Sequence, residues 1–290
     1  MRSDDFDARM RRYETANDFI ALPGVYLVAR LDGRRFTKLT KQTYDFETPF
    51  DEGFRDYMVA TARHVMSAGF RVLYAHTQSD EISLLFNHDD ELFDRKLRKL
   101  HSILAAESSA SFSLALGGIA SFDCRVSQLP TQELVIDYFR WRQADASRNA
   151  LNAHCYWLLR KAGKTVNEAS TALLGQSSKA KTALLEEHGV HFSRVPNWQK
   201  RGVGLYYAEV AREGHNPKTG EITKVLRRQI QVELDLPVKS AYGRLPAPAA
   251  PGGSIIPSAC LLNPTDGWPN TMTSSSKSFA PQLTWRAAAF

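Results

Sequence analysis

Two carboxylates stand where apolar, β-forming runs give way to polar residues. Val25-Tyr26-Leu27-Val28-Ala29-Arg30-Leu31-Asp32-Gly33 reads as a buried strand that turns polar at Asp32, with Gly33 letting the backbone pass close to a neighbour. Val72-Leu73-Tyr74-Ala75-His76-Thr77-Gln78-Ser79-Asp80-Glu81 runs on into Ile82-Ser83-Leu84-Leu85-Phe86, and its apolar flanks around a polar turn read as a hairpin with acids at the tip. An Asp-Gly at a strand end is most often a turn and nothing more. Two such acids, on strands separated by one helix-length segment, point further. If the strands lie side by side, Asp32 and Asp80 meet at one sheet edge. Close carboxylates repel unless a cation sits between them. Hard oxygen ligands suit Mg²⁺, which takes one or two carboxylates plus substrate phosphates. That is the layout of two-metal phosphoryl or nucleotidyl transfer.

The elements that must position these acids can be read from periodicity. Residues 5–20 form a short polar helix, broken at Leu22-Pro23-Gly24. After Asp32 comes a basic, irregular loop from Arg34 to Thr43. Phe54, Met58, Thr61/Ala62 and Val65 recur at helical spacing, and Gly69 is the natural stop. A second helix begins near Asp90, with Phe93, Leu97, Leu100 and Leu104 as its apolar stripe. A strand over Ala120–Val126 closes at Pro130. The order strand, helix, strand, strand, helix, strand is the split βαβ or ferredoxin-like pattern, an α+β fold with an antiparallel sheet and helices on one face. The reading is a ferredoxin-like catalytic domain over residues 1–130, followed by a mostly helical region with a C-terminal hairpin over 131–240. Helices are expected at Leu134–Arg160, after the capping-box pattern Thr165–Glu168, and at Ser177–His188. The hairpin is expected at Tyr206–Arg212 and Glu221–Arg227. From Ser240 the Pro/Gly/Ser-rich composition shows no periodicity, so 241–290 is expected to be a disordered tail.

Composition bounds the function classes. The chain has 290 residues, a net charge of +6 and 23% charged residues. The basic balance leans toward a polyanionic partner. No apolar run is long enough to cross a membrane, and Met1–Phe6 has no apolar signal core. Cys124, Cys155 and Cys260 are isolated thiols without C-x-x-C spacing, which excludes a zinc ribbon and fits a reducing cytoplasm. Gly163-Lys164-Thr165 mimics the end of a P-loop, but Leu158 occupies the required upstream glycine position. His188 and His191 lack an H-E-x-x-H context, and no G-x-S-x-G elbow occurs.

Assembled in order, these stretches resemble the tRNA-histidine guanylyltransferase superfamily of reverse (3′-to-5′) nucleotide polymerases. Met10–Glu14 is similar to its N-terminal helix, and Arg30–Phe36 to its first metal motif. Gln78–Glu81 matches the second metal motif, Asp94–Leu100 the basic triphosphate-binding helix, and Phe122–Val126 and Trp141–Asp145 two further motifs. The resemblance covers roughly residues 8–236. It implies a polymerase-type palm with Asp32, Asp80 and Glu81 as catalytic acids. Two Mg²⁺ ions would be held by Asp32 and Asp80 with help from the Gly33 carbonyl. ATP or GTP would be contacted by Gly33, Arg34, Arg35, Phe36, Ser79, Arg95, Lys96 and Lys99. Arg125, Arg142, Asn149, Lys200 and Arg201 are its candidates for tRNA contact. It further implies a homotetramer.

One departure bears on the branch. The tRNA-histidine-specific members carry His-Ile-Asn-Asn-Leu-Tyr-Asn where this chain reads Ser147-Arg148-Asn149-Ala150-Leu151-Asn152-Ala153. That pattern is similar to the bacterial and archaeal branch, which repairs truncated tRNA 5′ ends by templated addition. The expected activity is therefore templated 5′-end repair through an activated 5′ phosphate attacked by a nucleotide 3′ hydroxyl. The alternatives are guanosine addition to tRNA(His), a palm-type nucleotidyl cyclase, and a non-enzymatic RNA-binding protein.

Overall fold

A computed structural model describes residues 3–215 and 222–238. The expected 241–290 tail lies outside the described residues. Helix α1 (Ser3–Glu14) precedes strand β1 (Tyr26–Gly33). The loop expected after Asp32 is instead helical: a single turn α2 (Phe36–Lys38) runs into a π-helical turn over Leu39–Thr43. Helix α3 (Glu52–Ser67) starts where the Asp51 side chain accepts the Phe54 N–H. The hairpin β2 (Val72–Gln78) and β3 (Glu81–Phe86) follows, then helix α4 (Leu97–Leu116) and strand β4 (Phe122–Leu129).

Helix α4 starts later than the apolar stripe suggests. Phe93, Asp94 and Arg95 all take left-handed φ values, in a 3-10 turn over Leu92–Arg95 that precedes it. The remaining elements are α5 (Gln132–Lys161), α6 (Val166–Leu173), α7 (Ser178–Glu187), α8 (Asn197–Arg201), β5 (Val203–His215) and β6 (Ile222–Glu233). The expected capping box forms at Thr165 and Glu168, with both reciprocal bonds present.

The strands make one antiparallel sheet in the order β4-β1-β3-β2-β5-β6. The first four follow the split βαβ order. The C-terminal hairpin is not separate from them, because β5 pairs with β2 and extends the same sheet. Alternation along β1 divides its side chains between two faces. Leu27, Ala29 and Leu31 pack with Met58, Ala62 and Val65 of α3 and with Leu100, Leu104 and Phe112 of α4. Val28 points the other way, onto Val135 and Phe139 of α5 together with Leu73, Leu85 and Leu236. Helices therefore cover both faces, not one. The far end of α5 builds a third cluster with α6 and α7 around Leu151, Cys155, Leu173 and Leu185. Among the described residues, no helix is long and apolar enough to cross a membrane.

Candidate active site

Asp32 and Arg30 lie on the α5 face of β1, near its C-terminal end. The strand beside β1 is β3, the return strand of the hairpin, so Asp32 pairs directly with Glu81 and, on its other side, with Asp123 of β4. Asp80 occupies the two-residue turn between β2 and β3, and its carbonyl accepts the Gly33 N–H at 3.0 Å. This backbone bond ties the two acid-bearing segments together. Ser79 turns the corner with φ 53°, and its hydroxyl donates to Asp80 Oδ1 at 3.1 Å.

Gly33 has a local steric reason. A Cβ there would lie 2.5 Å from the Phe36 ring, and that ring packs on Phe54, Phe112 and Phe122. The close approach expected at Gly33 is thus to an internal aromatic. Phe36 itself is 1% exposed, so its side chain anchors the loop and is closed to a nucleotide.

The electrostatics favour a cation. Burial pushes the Asp80 carboxyl up to about 7, and the neighbouring Asp32 charge adds to the rise. Burial also raises Asp32, opposed by Arg30, and raises Glu81, opposed by Arg30 and Arg142. Glu81 is held between guanidinium groups, with Arg142 Nη1 donating to Oε2 at 3.0 Å and Arg30 Nη1 lying 3.7 Å from Oε1. Among the described residues no three Asp, Glu, His or Cys side chains converge as a complete metal cage. Asp32 and Asp80 instead suit a divalent ion that completes its shell with substrate phosphates.

The residues that follow Gly33 in the chain form an open recess of about 390 Å³ lined by Arg34, Arg35, Lys38, Leu39, Thr43, Tyr44, Ile119, Ala120 and Ser121. Arg34 and Arg35 are exposed there, as a phosphate or nucleotide site needs.

Other residues expected in the site are placed elsewhere. Arg95 is 9% exposed and donates to the carbonyls of Leu22, Val25 and Asp90, bracing the chain before β1. Lys96 pairs with Asp94, and the Lys96 backbone bridges Ile20. These residues and Lys99 sit at the start of α4, by the Tyr26 end of the sheet. From Tyr26 to Asp32 a strand spans about 20 Å, so one chain does not bring Arg95, Lys96 and Lys99 to the acids. Lys200 donates to the Ser193 carbonyl and Arg201 to the Leu236 carbonyl, so both act as structural donors. Arg142 is buried against Glu81 and Asp145 and is closed to direct RNA contact. Arg125 is half-exposed, 3.9 Å from Asp32, and Asn149 is exposed on α5.

Sequence reasoning assigned no role to Arg30, Asp123, Asp145 or Arg148. Strand alternation puts Arg30 on the face of Asp32, and an i, i+3 spacing puts Asp145 beside Arg142; both signals were available.

A family model described as tRNAHis guanylyltransferase matches residues 7–130, and one described as Thg1 C terminal domain matches residues 133–237. The chain belongs to the tRNA(His) guanylyltransferase family. It is 34% identical over 204 residues to a tRNA(His) guanylyltransferase of Schizosaccharomyces pombe, covering 67% of this chain and 78% of that one. A bacterial tRNA(His) guanylyltransferase (Thg1)-like protein, solved in complex with GTP, superposes with a TM-score of 0.61 at 26% identity over 81% of this chain and 93% of that one. The complex with ATP gives 0.61 at 27% identity, over 76% and 91%. The chain is accordingly a nucleotidyltransferase with the fold of these structures.

Proposed function

We propose that this protein adds nucleotides to the 5′ end of a tRNA, using ATP and GTP as substrates. The observation that carries this is the meeting of Asp32 and Asp80 at one end of the sheet, where the chain runs from Gly33 directly into the basic recess. Asp32 and Asp80 would hold Mg²⁺, which supplies charge neutralisation for phosphoryl transfer when bound. The raised carboxyl of Asp80 fits that role, since a divalent ion would relieve the repulsion from Asp32. Arg34, Arg35 and Lys38 would grip phosphates, and Ser79 would orient Asp80. The GTP- and ATP-bound relatives support this nucleotide choice.

Two acceptor readings separate here. The names of the family and of the yeast relative favour guanosine addition to tRNA(His). They favour it over the templated repair that the residues at 147–153 put first. Templated repair keeps one specific support, the Ser147–Ala153 segment without the histidine-branch pattern. The deciding experiment supplies tRNA(His) and other tRNAs lacking their first nucleotide, 5′-labelled, with the opposing base varied through all four identities. Guanosine on tRNA(His) alone, whatever base stands opposite, establishes the first reading. A nucleotide that tracks the opposing base across several tRNAs establishes the second. No addition to any tRNA overturns the proposal.

A homotetramer in a reducing cytoplasm is part of the same proposal. Phe6, Met10 and Tyr13 along α1, then Phe19, Ile20 and Leu22, are exposed apolar side chains that assembly would cover. Cys124 and Cys155 are free thiols, as a reducing compartment allows. Light scattering on the purified chain tests the assembly, and a monomer at micromolar concentration would remove it.

A further inference from the structure

Helix α5 carries a line of alternating charge that leads from the protein surface to the acids. Arg148, with its side chain 58% exposed, donates to Asp145 Oδ1 at 2.8 Å. The other oxygen of Asp145 accepts from Arg142 Nη2 at 2.6 Å and from Asn149 Nδ2 at 3.4 Å. Arg142, 5% exposed, reaches on to Glu81. Glu81 neighbours Arg30, which lies 3.9 Å from Asp32. Each of these ion pairs joins opposite charges, and the inner ones lie where salt screens least.

Two features make this line movable. Asp145 is shared, one carboxylate serving two guanidinium groups and an amide. Arg142 keeps a buried Nε–H without an acceptor and stacks on the half-exposed Trp141 ring at 4.0 Å, so its donors can be rearranged. An anion that draws Arg148 outward frees Asp145 Oδ1 to accept from Arg142 Nη1, giving a two-bond pair through Nη1 and Nη2 that is stronger than one bond. Arg142 then loosens its bond to Glu81, which is freed toward Asp32 and Asp80.

We propose that Asp145 and Arg142 are positioning residues that couple an RNA phosphate at Arg148 to the setting of Glu81, and so to nucleotide affinity at the acids. This rests on the proposed function, in which a tRNA 5′ end lies at Asp32 and Asp80. Its neighbouring phosphates then pass over the adjoining surface of α5, where Arg148 is exposed.

The test is equilibrium dialysis of labelled GTP, as its α,β-methylene analogue so that nothing turns over, with Mg²⁺ against the full chain, with and without saturating 5′-monophosphorylated tRNA. For the parent, tRNA tightens GTP binding by about fivefold or more. For Arg148→Ala and Asp145→Asn, at tRNA concentrations that saturate each variant, the two GTP constants agree within about twofold. Arg148→Lys, which keeps the cation, retains most of the parent's coupling. Arg148 is exposed, so its variants test the relay without disturbing the core, and circular dichroism melts check that they fold. Parent-like coupling in Arg148→Ala, or none in the parent, overturns the proposal. Failure of the functional reading is distinct: the parent then adds no nucleotide to any tRNA, whereas a failed relay leaves addition intact.

Discussion

Asp80 holds a proton in the folded chain at pH values where the unfolded chain has released it, because burial and Asp32 lift its carboxyl to about 7. Between roughly pH 4 and 7 the folded state therefore binds more protons than the unfolded state, and this group makes stability fall as pH rises. Asp80→Asn removes the effect. In EDTA it is expected to melt above the parent at pH 8, with the two converging below about pH 4. Mg²⁺ is expected to raise the parent's Tm at pH 8 and to leave the variant's nearly unchanged. Identical melting of the two proteins at pH 8 would sink the argument. Asp32→Ala and Asp80→Ala are each expected to abolish nucleotide addition, since transition-state stabilisation of several kcal/mol is at stake; parent-like turnover in either would remove it from the metal site. At Gly33 the aromatic cluster leaves a methyl no room, so Gly33→Ala is expected to cost about 1–3 kcal/mol in a urea titration. The glycine was legible in the sequence as a close approach, but its neighbour was not. Only the turn of α2 brings Phe36 back under β1.

Helix α5 belongs to both the fold and the site. Its first turns bury Val135 and Phe139 on the sheet, its middle presents Arg142, paired to Asp145, to Glu81, and its last turns carry the α6–α7 cluster. Phe139 is 3% exposed, so Phe139→Ala is expected to destabilise by about 3–5 kcal/mol. Loss of addition should follow from the displaced Arg142, measured at a temperature where the variant stays folded. A variant that melts like the parent would mean that α5 is held elsewhere. The helix itself was legible, expected at Leu134–Arg160 and found at Gln132–Lys161; which face meets which neighbour was not, because apolar residues lie around much of its circumference and serve different clusters along its length. The strand and helix order of the palm was legible because turn-formers such as Gly24, Gly69 and Pro130 bound its apolar runs. The break at Phe93–Arg95 was not legible. No glycine marks its left-handed residues, and three carbonyls converging on one guanidinium leave no trace in residue type.

For the whole molecule, the net charge of +6 argues that association with tRNA is largely electrostatic. Binding is expected to weaken steeply between about 50 and 200 mM salt, with a linear log–log slope that counts the phosphates neutralised. A salt-independent dissociation constant would show that the charge serves something else. The Lys96 and Lys99 end of α4 lies a strand's length from the acids within one chain. Sequence motifs could not reveal this, because order along the chain does not record which end of the sheet a segment reaches. The extension of the sheet by β5 was hidden similarly, since the hairpin pattern identifies its two strands but not the edge they join.

Successive positions of β1 answer to separate demands. Leu27, Ala29 and Leu31 see only hydrocarbon and the helices α3 and α4, while Arg30 and Asp32 see charge. Variation on the first side can be screened for heat tolerance with little effect on substrate choice. On the second side Val28 is also core, so only Arg30 and Asp32 there answer to charge, and variation at those two reaches nucleotide addition first. A library confined to Leu27, Ala29 and Leu31 would thus sample heat tolerance, and one confined to Arg30 and Asp32 would sample catalysis, along a single strand.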